Sequence, residues 1–253
     1  MVTSLLVDIG NSRLKWELRR QGKTNESSAV GYSDTGMLEL LDKAWLSLPA
    51  PDRVVISSVA SESINHQITQ WVKNNWSLHP HFVHSVDPYP GVINGYVKPE
   101  QLGVDRWVTI IAAYVKFKGP VVVVDCGTAV TIDLVDGEGC HHGGWILAGL
   151  NTAINCLRKN TAIPGFDDAE PQLQPARTTA EAVANGSLLT IAGAIGRIAK
   201  DLTEQPGFNK VRWVLTGGDA DRLSTAIDID YQRIDELMMD GLQLLAEQLE
   251  QDR

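Results

Sequence analysis

The sequence lacks the motifs of the commonest nucleotide-binding and metal-binding classes. No G-x-x-x-x-G-K-[ST] pattern occurs in its 253 residues, which excludes a Walker-type phosphate loop. Its three cysteines, Cys126, Cys140 and Cys156, are odd in number and form no C-x-x-C pair. This favours reduced thiols over a disulfide framework or a zinc site.

Positive charge and long apolar runs are also scarce. The chain has 22 Lys and Arg against 31 Asp and Glu, a net charge of −9, and no basic stripe offsets it. We therefore expect no nucleic-acid partner. The apolar stretch at residues 188–199 is broken by glycine and Arg197 and is too short for a bilayer. Residues 1–7 run directly into the first predicted strand, so we expect no leader. We expect no membrane partner and a cytoplasmic location.

The most informative feature that is present is a turn used twice. Asp8-Ile9-Gly10 and Asp125-Cys126-Gly127 each follow an apolar run typical of a buried strand, and each precedes a second strand-like stretch. One Asp-x-Gly turn is equally typical of an ordinary hairpin. The repetition favours two related domains whose glycine turns bind nucleotide phosphates, with an aspartate near a bridging metal ion.

The order of elements predicts an α/β protein with two domains, residues 1–118 and 119–253, divided near Lys118-Gly119-Pro120. We expect two domains of similar topology around a cleft. Residues 164–177, polar and proline-containing, are expected to form a surface connection. The predicted strands are 3–9, 13–20, 53–58, 81–85, 121–126, 130–135, 143–147 and 211–216, and the predicted helices are 36–47, 61–75, 101–117, 149–159, 178–203 and 235–250.

A second informative segment runs from Tyr96 to Arg106. Pro99 and Gly103 indicate a loop, and the apolar periodicity after it begins a helix with Asp105 and Arg106 in its first turn. An aspartate there is common for capping reasons alone. The functional interpretation is that Asp105 accepts a proton from a substrate hydroxyl while Arg106 binds an anionic group.

Taken together, the segments resemble the type III pantothenate kinases of the acetate kinase, sugar kinase, Hsp70 and actin superfamily. The resemblance spans residues 5–218, and the LGVDR and DCGTAVTID segments are its most specific part. The matching segments are DIGNSRLK at 8–15, PEQLGVDR at 99–106, DCGTAVTID at 125–133, GGWILAGL at 143–150, TTAEA at 178–182 and LTGG at 215–218.

The resemblance implies two ribonuclease-H-like domains with mixed sheets, flanked by helices, around a nucleotide cleft. It also implies a homodimeric kinase that uses ATP, Mg²⁺ and a monovalent cation, K⁺ or NH₄⁺, to phosphorylate pantothenate to 4'-phosphopantothenate in the first step of coenzyme A biosynthesis. Ser12 stands where the family often has Thr and keeps the hydroxyl, and Ala148 stands where it usually has Pro.

The resemblance also assigns roles to individual residues. Asp105 matches the proposed catalytic base, Asp125 the monovalent-cation ligand, and Asp8 a residue near Mg²⁺, directly or through water. The ATP and phosphate contacts it implies are Asp8, Ile9, Gly10, Asn11, Ser12, Arg13, Leu14, Lys15, Gly127 and Thr128, and the substrate contacts are Tyr96, Gly103, Val104, Asp105, Arg106 and Thr179.

Several alternatives stay open at this point. Lys15 is equally typical of a solvated strand lysine, and Gly217-Gly218-Asp219 could approach the adenosine or form a bare turn. A kinase for another small hydroxy acid or sugar, or a regulatory accessory protein without kinase activity, would share the fold. The histidines at 79, 81 and 84 are expected not to form a metal site, because no nearby cysteine or histidine set completes one. His141-His142 beside Cys140 are expected not to bind one ion, because neighbours on a strand point to opposite faces. The tryptophans are expected to pack between helices.

Overall fold

The computed structural model describes residues 2–32, 36–163, 167–208 and 210–251. The chain forms two compact units, residues 1–112 with 236–253 and residues 113–235. The described residues form ten strands and seven α-helices. The strands are β1 (Thr3–Ile9), β2 (Arg13–Arg20), β3 (Lys23–Gly31), β4 (Arg53–Ser58), β5 (His81–Phe82), β6 (Val121–Cys126), β7 (Ala129–Val135), β8 (His141–Ala148), β9 (Arg212–Thr216) and β10 (Tyr231–Arg233). The helices are α1 (Met37–Trp45), α2 (Glu62–Trp76), α3 (Val104–Phe117), α4 (Leu150–Asn160), α5 (Thr179–Thr203), α6 (Ala220–Ser224) and α7 (Leu237–Gln251).

The first unit contains a five-stranded mixed sheet in the order β3-β2-β1-β4-β5. β1, β2 and β3 are joined as antiparallel hairpins, whereas β4 and β5 run parallel to β1. The β2–β3 turn is tight because Gln21 and Gly22 both take positive φ values, 52° and 72°. As predicted from its apolar run, β4 extends the sheet that β1 begins.

One face of this sheet is covered by α1 and α2. Trp45 is fully buried, and Trp71 meets it edge-to-face with ring centroids 5.5 Å apart, while Trp76 stacks on it at 6.0 Å. Helix α2 begins where the Ser61 hydroxyl accepts a hydrogen bond from the Ile64 N–H. The prediction that these tryptophans pack between helices is confirmed.

The second unit repeats the topology of the first. Its sheet has the order β10-β9-β6-β7-β8, so that β6, β7, β8, β9 and β10 correspond to β1 through β5 in turn. β6–β7 and β7–β8 are antiparallel, and β9 and β10 run parallel to β6. The fold class predicted from the repeated turn, two similar units with mixed sheets flanked by helices, is confirmed.

Helix α5 forms the centre of the second unit's core. Leu188, Ile191 and Ile195 on this helix are buried against apolar side chains of β6 and β7. Thr178 caps its first turn by accepting a hydrogen bond from the Glu181 N–H at 3.3 Å. Helix α5 agrees with the predicted helix 178–203 to within one residue. Among the described helices it is the one whose length and composition would allow a membrane crossing. Its buried face is that of a core helix.

The compact units differ from the predicted domains 1–118 and 119–253 in two respects. The boundary falls after residue 112, inside α3, and not after residue 118. Helix α7 belongs to the first unit, because it packs against β1 and β4, and Gly241 on it leaves room for the backbone of Val108. The sequence analysis also missed β3, α6 and β10. Part of the expected surface connection at 164–177, residues 164–166, lies outside the described residues.

Candidate active site

The first Asp-x-Gly turn connects β1 and β2. Val7 and Ile9 point into the core of the first unit, so the alternation of the strand directs the half-buried Asp8 to the opposite face. The Gly10 N–H donates to the Arg13 carbonyl at 3.0 Å and closes the turn. Asn11, Ser12 and Arg13 are exposed there, where their backbone and hydroxyl groups are accessible to a ligand.

Two residues flank Asp8 on the neighbouring strands. Lys15 lies directly opposite Asp8 in the antiparallel pair, next to Leu14, which pairs with Ile9 and is buried in the core. Ser57 is the partner of Asp8 in the parallel pair with β4. Directly paired residues share a face of the sheet, so Lys15 is on the side of Asp8. This position is compatible with phosphate binding.

The second turn has the same construction in the second unit. Val124 and Cys126 point into the core, which directs the half-buried Asp125 to the other face. The Gly127 N–H donates to the Ala129 carbonyl at 3.0 Å. Asp125 is flanked by Thr131 and Thr216, in the positions that Lys15 and Ser57 hold beside Asp8. The two aspartates therefore occupy equivalent places in two equivalent sheets.

Gly217 leaves the space that the Asp125 carboxylate occupies. It has φ +92°, and a Cβ there would lie within 3.0 Å of Asp125 Oδ1 and of the backbone of Cys126. Only glycine fits this position without strain. The turn that follows is held to the same strand, because the Asp219 N–H donates to the Cys126 carbonyl at 2.9 Å.

Gly149, at the start of α4, packs in the same way against the second turn. A Cβ on it would collide with the carbonyl oxygens of Gly127 and Thr128. The Gly149 N–H and the Thr152 hydroxyl both donate to the Thr128 carbonyl, at 3.0 and 2.6 Å. Thr128, which is exposed, is thereby fixed at the N-terminus of a helix, an arrangement that favours bound anions.

Cys126 is part of the core and not of a redox site. Burial, with a further contribution from the negative charge of Asp125, raises the pKa of the Cys126 thiol to about 12. The thiol therefore stays protonated at neutral pH and is a poor nucleophile. The prediction of a small buried side chain is confirmed.

The third group of candidate residues lies at the N-terminus of α3. A Cβ on Gly103 would lie 2.5 Å from Asp105 Oδ1, so a side chain here would push the carboxylate out of its observed position. Asp105 is half-buried, and its Oδ1 accepts a hydrogen bond from the Arg106 N–H at 2.8 Å. Val104, half-buried, is the first residue of the helix.

Arg106 is a buried cation, with only 5% of its surface exposed. Its Nη1 donates to the Tyr96 hydroxyl at 2.7 Å, and its guanidinium carbon lies 5.4 Å from the centre of the Tyr96 ring. A buried arginine held by stacking and hydrogen bonding presents a fixed, strongly anion-binding group. The structure therefore brings together Tyr96, Gly103, Asp105 and Arg106, as the sequence predicted.

The remaining candidates are placed separately. Thr179 is exposed at the first position of α5, and Ala148 is the exposed last residue of β8. The histidines at 79, 81 and 84 are exposed, and no group of three metal-ligating side chains occurs among the described residues. His141 is buried and His142 exposed, which confirms that they point to opposite faces.

Three supporting residues were missed or left undecided by the sequence analysis. Gly149 was read only as part of a motif, and Gly217 was left between an adenosine contact and a bare turn. Asn94, which binds the backbone around Tyr96, was not singled out. Its only local signal is the Asn-Gly pair, which is typical of turns.

These features can be compared with known proteins. A family model described as type III pantothenate kinase matches residues 4–201. A type III pantothenate kinase from Nitrosococcus oceani is 35% identical over 249 residues, covering 96% of this chain and 93% of the relative. The chain belongs to the type III pantothenate kinase family. The resemblance drawn from the segments is confirmed, and with it the prediction of a pantothenate kinase.

Solved structures agree on the fold. A Campylobacter jejuni protein described as a Baf family transcriptional activator has a TM-score of 0.61 at 21% identity and covers 97% of this chain and 99% of its own. A Sinorhizobium meliloti protein described as a 2-dehydro-3-deoxygalactonokinase also has a TM-score of 0.61, at 14% identity, with coverages of 97% and 99%. Both likenesses cover nearly the whole chain and support one fold, in which two similar units each contain a mixed five-stranded sheet. At these identities, the likeness concerns the fold alone.

Proposed function

We propose that this chain transfers the γ-phosphoryl group of ATP to the terminal hydroxyl of pantothenate, with Asp105 as the general base. The observation that carries the proposal is the arrangement at the start of α3. There Gly103 gives space to the Asp105 carboxylate, while the Arg106 guanidinium is buried against Tyr96. The product is 4'-phosphopantothenate, the first intermediate of coenzyme A biosynthesis.

Asp105 suits the role of base because one of its oxygens is already positioned. Oδ1 accepts the Arg106 N–H, which orients the carboxylate. Among the described residues no donor is bonded to Oδ2, which is the atom we assign to the substrate hydroxyl. A general base of this kind contributes on the order of 10²- to 10⁴-fold to turnover.

Arg106 is the group we assign to the pantothenate carboxylate. Its guanidinium carries five N–H donors, and Nη1 donates to the Tyr96 hydroxyl. A planar fork of donors matches a carboxylate better than a lysine ammonium does. We propose Tyr96, Gly103, Val104 and Thr179 as the other substrate contacts.

ATP binding is proposed for the two equivalent turns, each within its own unit. The residues are those from Asp8 to Lys15 in the first turn, and Gly127 with Thr128 in the second. Backbone N–H groups at glycine turns and helix N-termini bind phosphate oxygens. Thr128 packs against the N-terminus of α4, where its carbonyl accepts the Gly149 N–H. Lys15, on the face of Asp8, adds a positive charge for the transferring phosphoryl group.

The oxygen atoms beside the two aspartates fit hard cations. Mg²⁺ is commonly held by one or two carboxylates together with substrate phosphates, and Asp8 offers such a carboxylate, directly or through water. Beside Asp125, Gly217 leaves the carboxylate the space that a Cβ would otherwise take. We propose that Asp125 ligates a monovalent cation, K⁺ or NH₄⁺. The cations neutralise phosphate charge that the aspartates would otherwise repel.

We also propose a homodimer in the cytoplasm. Strand β8 is at the edge of the second sheet and carries two large exposed side chains, Trp145 at 45% and Ile146 at 63%. Exposed apolar side chains along an edge strand are typical of a surface covered by another chain. A net charge of −9 supports the absence of a nucleic-acid partner.

A substrate panel tests the proposal. ADP release from ATP in the presence of Mg²⁺ is measured with pantothenate, with a sugar, with another short hydroxy acid and with no acceptor. The mass of the product is determined by mass spectrometry. We expect ADP release with pantothenate and with none of the other acceptors, and a product whose mass exceeds that of pantothenate by one phosphoryl group. Release with another acceptor would assign a different kinase. No ADP release with any acceptor, together with DNA binding that weakens steeply with salt, would favour a regulatory protein.

A further inference from the structure

Asn94 makes three hydrogen bonds in the loop that precedes α3. Its Nδ2 donates to the carbonyl of Ser85 at 3.0 Å and to the carbonyl of Pro99 at 3.1 Å. Its Oδ1 accepts the Tyr96 N–H at 3.0 Å. The side chain thus joins Ser85, Tyr96 and Pro99 within one loop, and its half-buried position partly protects these bonds from water.

The chemistry of this site requires an amide. Two carbonyl oxygens need a donor with two hydrogens, and one backbone N–H needs an acceptor, so only one orientation of the Asn94 side chain satisfies all three. A carboxylate of the same shape would keep the bond to Tyr96. It would, however, place its other oxygen against the carbonyls of Ser85 and Pro99.

The consequence of these bonds is a fixed Tyr96. Its backbone is held by Asn94, and its hydroxyl and ring hold the buried guanidinium of Arg106. The carbonyl of Pro99, which Asn94 also binds, belongs to the short 3₁₀ helix Pro99–Gln101 that leads to Gly103 and α3. The same amide therefore binds both the tyrosine that contacts Arg106 and the segment that leads to Asp105.

We propose that Asn94 is a positioning residue for pantothenate, which acts by orienting Tyr96 and, through it, the Arg106 guanidinium. The inference rests on the proposed binding of the pantothenate carboxylate by Arg106. It assigns to Asn94 an effect on the affinity for pantothenate rather than on the affinity for ATP.

The test is the variant Asn94→Asp, with Asn75→Asp as its matched control. Asn75 also donates its amide to a backbone carbonyl, that of Trp71 in helix α2, without contacting the loop. We expect Asn94→Asp to raise KM for pantothenate about tenfold while kcat and KM for ATP change less than about twofold. Asn75→Asp should leave all three near the wild-type values.

Equal kinetics for the two variants would overturn the inference. So would a loss of kcat together with higher KM values for both substrates, because that pattern indicates a general structural defect. If Asn94→Asp does not fold, Asn94→Ser, whose hydroxyl can donate to one carbonyl only, is measured instead. The expected change in KM has the same direction.

The double variant with Tyr96→Phe tests the route through Tyr96. If Asn94 acts by orienting the tyrosine, the two changes will not add, and the double variant should resemble the weaker-binding single variant. A KM for pantothenate raised in the double variant by the product of the two single-variant factors would overturn the route through Tyr96. Pantothenate-dependent turnover by the wild type separates this result from a failure of the proposed function, because its absence would refute both.

Discussion

Replacing Gly217 by alanine should both destabilise the second unit and disturb the cation site. The residue has φ +92°, and its Cβ would lie within 3.0 Å of Asp125 Oδ1 and of the Cys126 backbone. The left-handed conformation costs a residue with a Cβ about 1–2 kcal/mol. Forcing a methyl group into packed backbone adds about 1–3 kcal/mol. We expect a total of about 3 kcal/mol of unfolding free energy to be lost.

Gly218→Ala is the matched control for this prediction. No described atom lies within 4 Å of a Cβ at Gly218, and its φ lies outside the left-handed region. For a protein of this size, about 3 kcal/mol lowers Tm by roughly 6–12 °C. Thermal unfolding by circular dichroism should therefore separate the two variants, and Gly217→Ala should also lose its activation by K⁺. A Tm for Gly217→Ala within about 2 °C of that of Gly218→Ala would refute the reasoning.

Two further predictions concern Asp125 and Cys126 on β6. Asp125→Ala should abolish the stimulation of turnover by K⁺ over Na⁺, because it removes the carboxylate proposed to ligate the cation; an unchanged ratio of rates in the two salts would contradict that role. At pH 8, iodoacetamide should alkylate the exposed Cys156 and leave Cys126 intact in the folded protein, since burial raises the pKa of the Cys126 thiol to about 12 and keeps it protonated. Peptide mass spectrometry measures both sites, and comparable labelling of the two would show that the Cys126 thiol is accessible and reactive.

The parts of the fold that could be predicted are those whose signal is local. β1 and β6 are continuous apolar runs followed by Asp-x-Gly, and these residues favour a buried strand and a turn by themselves. β3 was missed because its first six residues are polar and all but Val30 are exposed on an edge strand, so no alternation marks it. The amphipathic pattern of α7 predicts a packed helix but not the sheet on which it packs.

The same distinction holds for the candidate site. Tyr96, Asp105 and Arg106 lie in one short segment, so the sequence could bring them together. Contacts between distant segments leave no such pattern. A Cβ on Gly149 would collide with Gly127 because the start of α4 packs against the second turn. Only the structure shows this packing.

The central claim, that Asp105 is the base of a pantothenate kinase, is tested most directly by Asp105→Asn. The amide oxygen can still accept the Arg106 N–H, so the variant should fold and bind ATP. Asp221→Asn, which makes the same change in the first turn of α6, is the control. We expect pantothenate-dependent ADP release to fall by about 10²- to 10⁴-fold in Asp105→Asn and to stay near the wild-type rate in Asp221→Asn. Turnover of Asp105→Asn close to that of the wild type would contradict the account.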